Sequence, residues 1–322
     1  MNKLKRGVLF RLILSLLLVA LVAAGVSSCR KPEPLTFKYV TLPVLENLPI
    51  FVGIDQGLFQ DYGLTIELVA VQSALERDTL IRGGQADCTT LDLIAIGLFN
   101  RDAITVKGVR LVNDTTKGKF ALVVGPACTA QSVVDLAGVP VGVAFNTVAE
   151  YVGDTMLRLS GVPADKVNLV EWRQINVRLE ALINNQLPAG IFPEPFATYA
   201  TQNGCRILAR DSEFGGLGHD ILTFTVAALV EHPDRVRDFM AAYEKAITLI
   251  REDPDRWSSL IQDRGLVPPM IGAQATVPTF AEPSLPTVEQ VTPIMQWAVD
   301  RGILPVVPAI ENLVTADFLA GN

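Results

Sequence analysis

Side chains able to do chemistry are scarce in this 322-residue chain, which has four cysteines and only two histidines, His219 and His232. The cysteines stand at 29, 88, 128 and 205, and no pair has the spacing of a zinc or iron–sulfur site. No HExxH occurs, and the motifs assemble neither a nucleophile–base pair nor a metal cluster. The composition therefore points to binding without cofactor or metal rather than to catalysis. With Cys29 set aside, three cysteines remain, so one is free unless it pairs between chains. Cys88 and Cys205 sit in contexts that read as strand edges, which favours structural roles. A Cys128–Cys205 bridge stays open in an oxidising compartment.

Cys29 is a different case. Lys3, Lys5, Arg6 and Arg11 precede the apolar run Leu12–Val22, and small residues lead up to Ser28. That order of basic flank, apolar core and small residues is the pattern of a secretory signal. Leu12–Val26 gives 15 uncharged residues, short of the roughly 20 that span a bilayer as a helix. Ala24-Gly25-Val26-Ser27-Ser28-Cys29 resembles the lipobox of bacterial lipoproteins, although Val26 stands where leucine is usual. The resemblance implies a signal peptide over 1–28, acylation of Cys29 by chains such as palmitate, and a tether over 29–34. The remainder then works in the cell envelope, facing the periplasm or exterior and held to the membrane by lipid.

Lys and Arg number 27 against 34 Asp and Glu, a net charge of −7. Removing the four basic residues of the leader makes the remainder more acidic still. No basic stripe or aromatic–basic interleaving is present, which excludes nucleic acid as a partner. A content of 49% hydrophobic and 19% charged residues suits a packed globular protein, long enough for two domains.

Strands read at Leu35–Val40, Leu64–Val69, Cys88-Thr89 and Ile104–Val112, with helices at Leu48–Gln56, Ser73–Ile81 and Leu91–Phe99 between them. The alternation restarts with strands at Phe120–Val124, Val139–Ala144, Val167–Val170, Gly190–Phe192 and Cys205–Leu208, and helices at Thr147–Leu159, Ile175–Ile183 and Phe196–Thr201. Two such runs indicate two α/β lobes with parallel-dominated sheets. Beyond Pro233 the pattern is helical: Val236, Phe239, Met240, Tyr243 and Ile247 share one face. Val291–Ala298 reads as a last packed helix with Trp297 in the core.

Several motifs then line up in order. Leu48-Pro49-Ile50-Phe51-Val52-Gly53-Ile54-Asp55-Gln56-Gly57-Leu58-Phe59 is followed by Tyr62-Gly63-Leu64, and Leu80-Ile81-Arg82-Gly83-Gly84-Gln85-Ala86-Asp87 comes next. Leu136–Val143, Leu182–Ala189, Phe192-Pro193-Glu194-Pro195 and Pro233–Phe239 complete the set. Together, over roughly residues 35–255, they resemble the ABC-importer substrate-binding proteins for nitrate, sulfonates, taurine and thiamine-pyrimidine precursors. The resemblance implies a two-lobed periplasmic-binding-protein type II fold: lobe 1 from 35–114, lobe 2 from 115–215, and a hinge return completing lobe 1 over 216–322. It implies a monomer that closes on a ligand between its lobes and works with a permease and an ATPase.

The same resemblance maps the ligand cleft onto strand-to-helix loops, beyond the carboxyl ends of strands. Glu46 and Asn47 follow the first strand, where Asn47 could instead cap the next helix. Ser73 and Ala74 follow the second; Ser73 keeps a cap, and Ala74 departs from the Ser-Gly of oxyanion-binding members. Asp92 opens a helix, where it either favours the dipole or accepts from an amino group. In the second lobe the candidates are Asn146, Thr147, Trp172 as a flat wall, and Glu194, with His219 at the return crossing. Glu46, Asp92, Glu194 and Asp220 have no assured basic counterpart unless Arg173 and Arg178 enter the cleft. That balance leans towards a neutral or cationic nitrogen compound such as an aminopyrimidine. A sulfonate, taurine or nitrate carrier is the alternative. A pyrimidine-precursor synthase, which needs histidine and iron, and a ligand-binding module for a membrane sensor are two others.

Cys29→Ser is expected to move the protein from the membrane fraction to the soluble one. Retention in the membrane fraction would instead indicate an uncleaved anchor.

Overall fold

In a computed structural model of the chain, residues 35–114, 117–272 and 275–319 are described. The expected signal, the tether and Cys29 lie outside these residues. No described helix is long and apolar enough to cross a membrane.

The first run of elements is β1 (Leu35–Thr41), α1 (Leu48–Asp55), α2 (Leu58–Asp61), β2 (Leu64–Ala70), α3 (Ala74–Arg82), β3 (Cys88–Asp92), α4 (Leu93–Phe99) and β4 (Val106–Leu111). The second is β5 (Phe120–Val124), β6 (Pro140–Val143), α5 (Val148–Leu159), β7 (Asn168–Glu171), α6 (Ile175–Ile183), β8 (Ala189–Pro193), α7 (Phe196–Gln202) and β9 (Arg206–Arg210). The chain then returns through β10 (Asp220–Thr225) to α8 (Val226–Glu231), α9 (Pro233–Glu252), α10 (Ser258–Asp263), α11 (Pro269–Gly272) and α12 (Val288–Asp300).

Local chemistry sets these boundaries. Gly57 takes φ 71° between α1 and α2, a left-handed turn that a Cβ would strain. Ser73, Asp92 and Thr147 each accept a backbone N–H of the helix they begin, satisfying amides that the first turn leaves unpaired. In α9 the stripe Val236, Phe239, Met240, Tyr243 and Ile247 is buried. Phe239 there packs on Phe37, Phe59 and Phe224, joining helix to sheet.

Two five-stranded sheets result, ordered β2-β1-β3-β10-β4 and β7-β6-β8-β5-β9. Parallel direction dominates both, with one opposed strand in each, β10 in the first and β5 in the second. β1 with β3, and β6 with both β7 and β8, run parallel. β10 is antiparallel to β3 and β4, and β5 to β8 and β9. The antiparallel members are those entered or left by the chain as it passes between lobes, and such returns carry no crossover helix. The bridge between Cys128 and Cys205 is not formed: Cys88, Cys128 and Cys205 are all free thiols.

The chain passes between the sheets twice, after β4 and after β9, and two buried side chains fasten the passages together. Asn113 donates through Nδ2 to Gly218 O (2.9 Å) and accepts through Oδ1 from Asp220 N (3.0 Å). Asp211 Oδ1 accepts from Lys119 N (2.8 Å) and Phe120 N (3.0 Å), and its Oδ2 accepts from Gly218 N (3.3 Å). Asp211→Ala orphans three backbone donors, two of them buried, and is expected to cost about 3 kcal/mol, read as a lower denaturation midpoint. An unchanged midpoint would mean that the crossings are held by other contacts.

Candidate functional site

A cavity of about 100 Å3 lies where the carboxyl ends of β1, β3, β6 and β8 face each other. That volume holds several waters, and so suits a compact solute. Of the candidates read from sequence, Glu46, Asn47, Ser73, Ala74, Asp92 and Thr147 line it. Asn146, Trp172, Glu194 and His219 do not.

Asn47 shapes the wall. Its Oδ1 accepts from the Tyr39 hydroxyl (2.7 Å), and its Nδ2 donates to Leu42 O (2.8 Å). It makes no side-chain cap to α1, so the capping role gives way to bracing the loop after β1. Tyr39 OH also meets Thr90 Oγ1 at 2.9 Å. Burial raises the Tyr39 pKa well above its ordinary value, so the phenol stays neutral.

Ser73 accepts from Glu76 N (3.3 Å), and Glu76 Oε2 accepts from Gln72 N (2.9 Å), which closes the turn into α3. Asp92 accepts from Ala95 N (2.9 Å). Its burial raises its pKa, against the lowering influence of Arg77 and of the backbone at Ala95 and Val148. Thr147 Oγ1 donates to Ala144 O (2.7 Å) and accepts from Ala149 N (3.2 Å), fixing the loop before α5.

The acidic balance expected from sequence is reversed by basic residues that enter the cavity: Arg77, Lys119, Arg173 and Arg178. Lys119 Nζ pairs with Asp220 and with Glu46 Oε1 (3.2 Å), neutralising much of that carboxylate charge. Arg77, 4% exposed, uses Nε on Asp78 (2.9 Å) and one terminal nitrogen on Thr90 O (3.2 Å). Arg178, 2% exposed, gives one terminal nitrogen to Trp172 O (2.7 Å) and lies over the Phe192 ring. A Cβ on Gly142 would press on Leu187 and on the Arg178 stem, so that glycine makes room for the arginine. Burial brings the Arg178 pKa down to about 10, with Glu171 opposing, and the side chain is charged at neutral pH. Among the described residues, Arg77 Nη2, Arg178 Nε and Glu46 Oε2 are buried without a hydrogen-bond partner.

The four remaining candidates have other surroundings. Asn146 is exposed, at φ 60°, with its N–H on Glu150 Oε2 (2.7 Å). Trp172 continues the β6 register through Val143 O (2.7 Å). Glu194 accepts from Arg210 (2.6 Å) and Thr198 N (3.1 Å) beside a different groove. His219 is buried, with Nδ1 3.3 Å from Leu217 O, beside a third groove against α5 and α12. Sequence reasoning missed Arg77 and Lys119. The first reads as an ordinary helix-surface residue and the second as part of a polar connection.

These features define an α/β fold of two lobes with a small cavity between them, the type II periplasmic-binding-protein architecture. Residues 45–257 match the family described as NMT1/THI5 like, and the chain belongs to that family. No curated protein matches its sequence. The alkanesulfonate-binding protein SsuA of Xanthomonas axonopodis pv. citri, bound to MOPS, is similar in structure at TM-score 0.71 and 16% identity, covering 88% of this chain and 97% of that one. The aliphatic sulphonate binding protein SsuA of Escherichia coli gives 0.70 and 15%, covering 87% and 92%. The desulfurization enzyme DSZB gives 0.62 and 14%, covering 88% and 97%. The fold thus serves binding proteins and an enzyme alike, and function rests on the site.

Burial lowers the His219 pKa from its ordinary 6.5. The unfolded chain then takes up a proton, as pH falls through about 6.5, that the folded chain refuses. Stability from this group is complete above that pH and declines below it. Relative to His219→Gln, the wild-type midpoint is expected to drop between pH 7 and pH 5; parallel curves would contradict this.

Proposed function

We propose that this protein is the lipid-anchored solute-binding component of an ABC-type importer, taking a compact solute with an anionic group between its lobes. It performs no reaction and passes the solute to a permease driven by an ATPase. The observation that carries the reading is the pair of buried arginines, Arg77 and Arg178, each lining the cavity with an N–H that no described residue accepts. A buried guanidinium left short of acceptors is costly, and an anionic oxygen relieves that cost. The N-termini of α3 and α5 at Ser73 and Thr147 reach the same cavity, where their amides and dipoles favour negative charge. The free Glu46 oxygen suits a donor on the same solute, so a zwitterion such as an aminosulfonate fits as well as a plain sulfonate.

The aminopyrimidine reading loses support on this geometry. Lys119 engages Glu46 and Asp220, Asp92 caps α4, and neither Trp172 nor Glu194 lines the cavity. The kinship in fold to alkanesulfonate-binding proteins agrees with an anionic solute. The lipid anchor rests on the Cys29 context alone.

The test is thermal unfolding of the full chain against alkanesulfonates, MOPS, taurine, nitrate and aminopyrimidines, since a native-state ligand raises the midpoint. A rise with a sulfonate or taurine, abolished in Arg178→Met, is the expected result. Loss of one charge-assisted contact there corresponds to about tenfold or more in affinity. A rise confined to aminopyrimidines would restore the carboxylate reading, and no rise with any of them would remove this solute class.

A further inference from the structure

The contact between α5 of lobe 2 and α12, which packs on α4 of lobe 1, contains more polar chemistry than docking requires. Trp297, expected in the core, is only half buried and donates through Nε1 to Asp154 Oδ2 (2.8 Å). Its ring stands edge-on to Tyr151. Asp154 is 1% exposed and also accepts from Arg158 Nε (2.8 Å). One turn nearer the cavity, Arg301 donates to Glu150 Oε1 at 3.1 Å.

Glu150 has two oxygens with different duties. Oε1 faces Arg301 on the other lobe, and Oε2 accepts from the backbone N–H of Asn146. Asn146 holds φ 60°, a left-handed conformation that is unfavourable for a residue with a Cβ and persists when its surroundings hold it. The next residues, Thr147, Val148 and Ala149, line the solute cavity. A continuous path of hydrogen bonds therefore runs from lobe 1 through one buried carboxylate to the loop that forms the cavity wall.

We infer that Arg301 and Glu150 are positioning residues, which fix the 144–149 loop in its binding conformation only while α12 engages α5. Solute capture and engagement of the two helices are then linked, and each strengthens the other by the same factor. This rests on the binding reading above for its consequence, but the link itself can be measured without any solute. The ion pairs of Arg301 go to Glu150 and, at 3.9 Å, to Asp154, both on α5 rather than on the loop, so its removal reports on transmission rather than on a lost loop hydrogen bond.

Hydrogen exchange of the solute-free full chain is compared for wild type, Arg301→Gln and Arg301→Lys, with Glu150→Gln as an independent break in the same path. Faster exchange of the 146–149 amides in Arg301→Gln and Glu150→Gln, by about fivefold or more, with partial recovery in Arg301→Lys, is the expected result. Exchange in β6 and α4 should stay at the wild-type level, which separates a local release from general loosening. Unchanged exchange over 146–149 overturns the inference, as does uniform acceleration across lobe 2. Failure of every solute in the thermal panel would strike the binding reading and leave this result standing.

Discussion

Buried charge governs this molecule, and Lys119 is the point at which its pairing converges. It sits at the end of the first passage between lobes and reaches Glu46 on one lobe and Asp220 at the foot of β10. Charges in so dry a space must be paired, because their desolvation is severe and the loss of one partner strands the other. The lysine therefore ties the loop after β1, the passage into lobe 2 and the returning strand to a single point. It also satisfies much of the acidic chemistry in the cleft, which leaves the two arginines as the groups still seeking partners.

On the proposed reading, that distribution explains how a chain with an acidic surplus can offer a site to an anion. Net charge describes the surface and the long-range field, whereas the cavity is decided by which side chains remain uncompensated inside it. Arg77 and Arg178 come from helices of opposite lobes, α3 and α6, so an anion held by both belongs to neither lobe alone. On that reading closure and recognition would be the same event, as in a hinge-bending binding protein.

Much of the fold was legible because its signals are local. The cap at Ser73 and the glycine at 57 each identify an element within a residue or two of its observed bounds, and the apolar stripe from Val236 to Ile247 marks the middle of α9. β10 was overlooked because Asp220–Thr225 follows a glycine-rich stretch that reads as a mere return, and its place between β3 and β4 is set by pairings far away in sequence. The site was legible on the loops and opaque elsewhere. Residues after the carboxyl ends of strands were found, but Lys119 precedes a strand, and Arg77 lies one turn into a helix where only tertiary packing turns it inward. Trp172 and Glu194 were chosen for chemistry suited to a ligand, yet the register of β6 with β7 and the Arg210 pair commit them to other contacts.

The placement of β10 also governs the order in which the protein can be made. Lobe 2 is contiguous, so its sheet is complete once β9 exists. The first sheet, by contrast, stays divided while the chain grows: β3 and β4 flank the place of a strand that appears more than a hundred residues after them. Until then two strands with open hydrogen-bonding edges persist, a state that delays folding and invites pairing with other chains. The lobe that begins the sequence therefore cannot settle before β10, Asp220–Thr225, has been synthesised, by which point the whole of lobe 2 already exists.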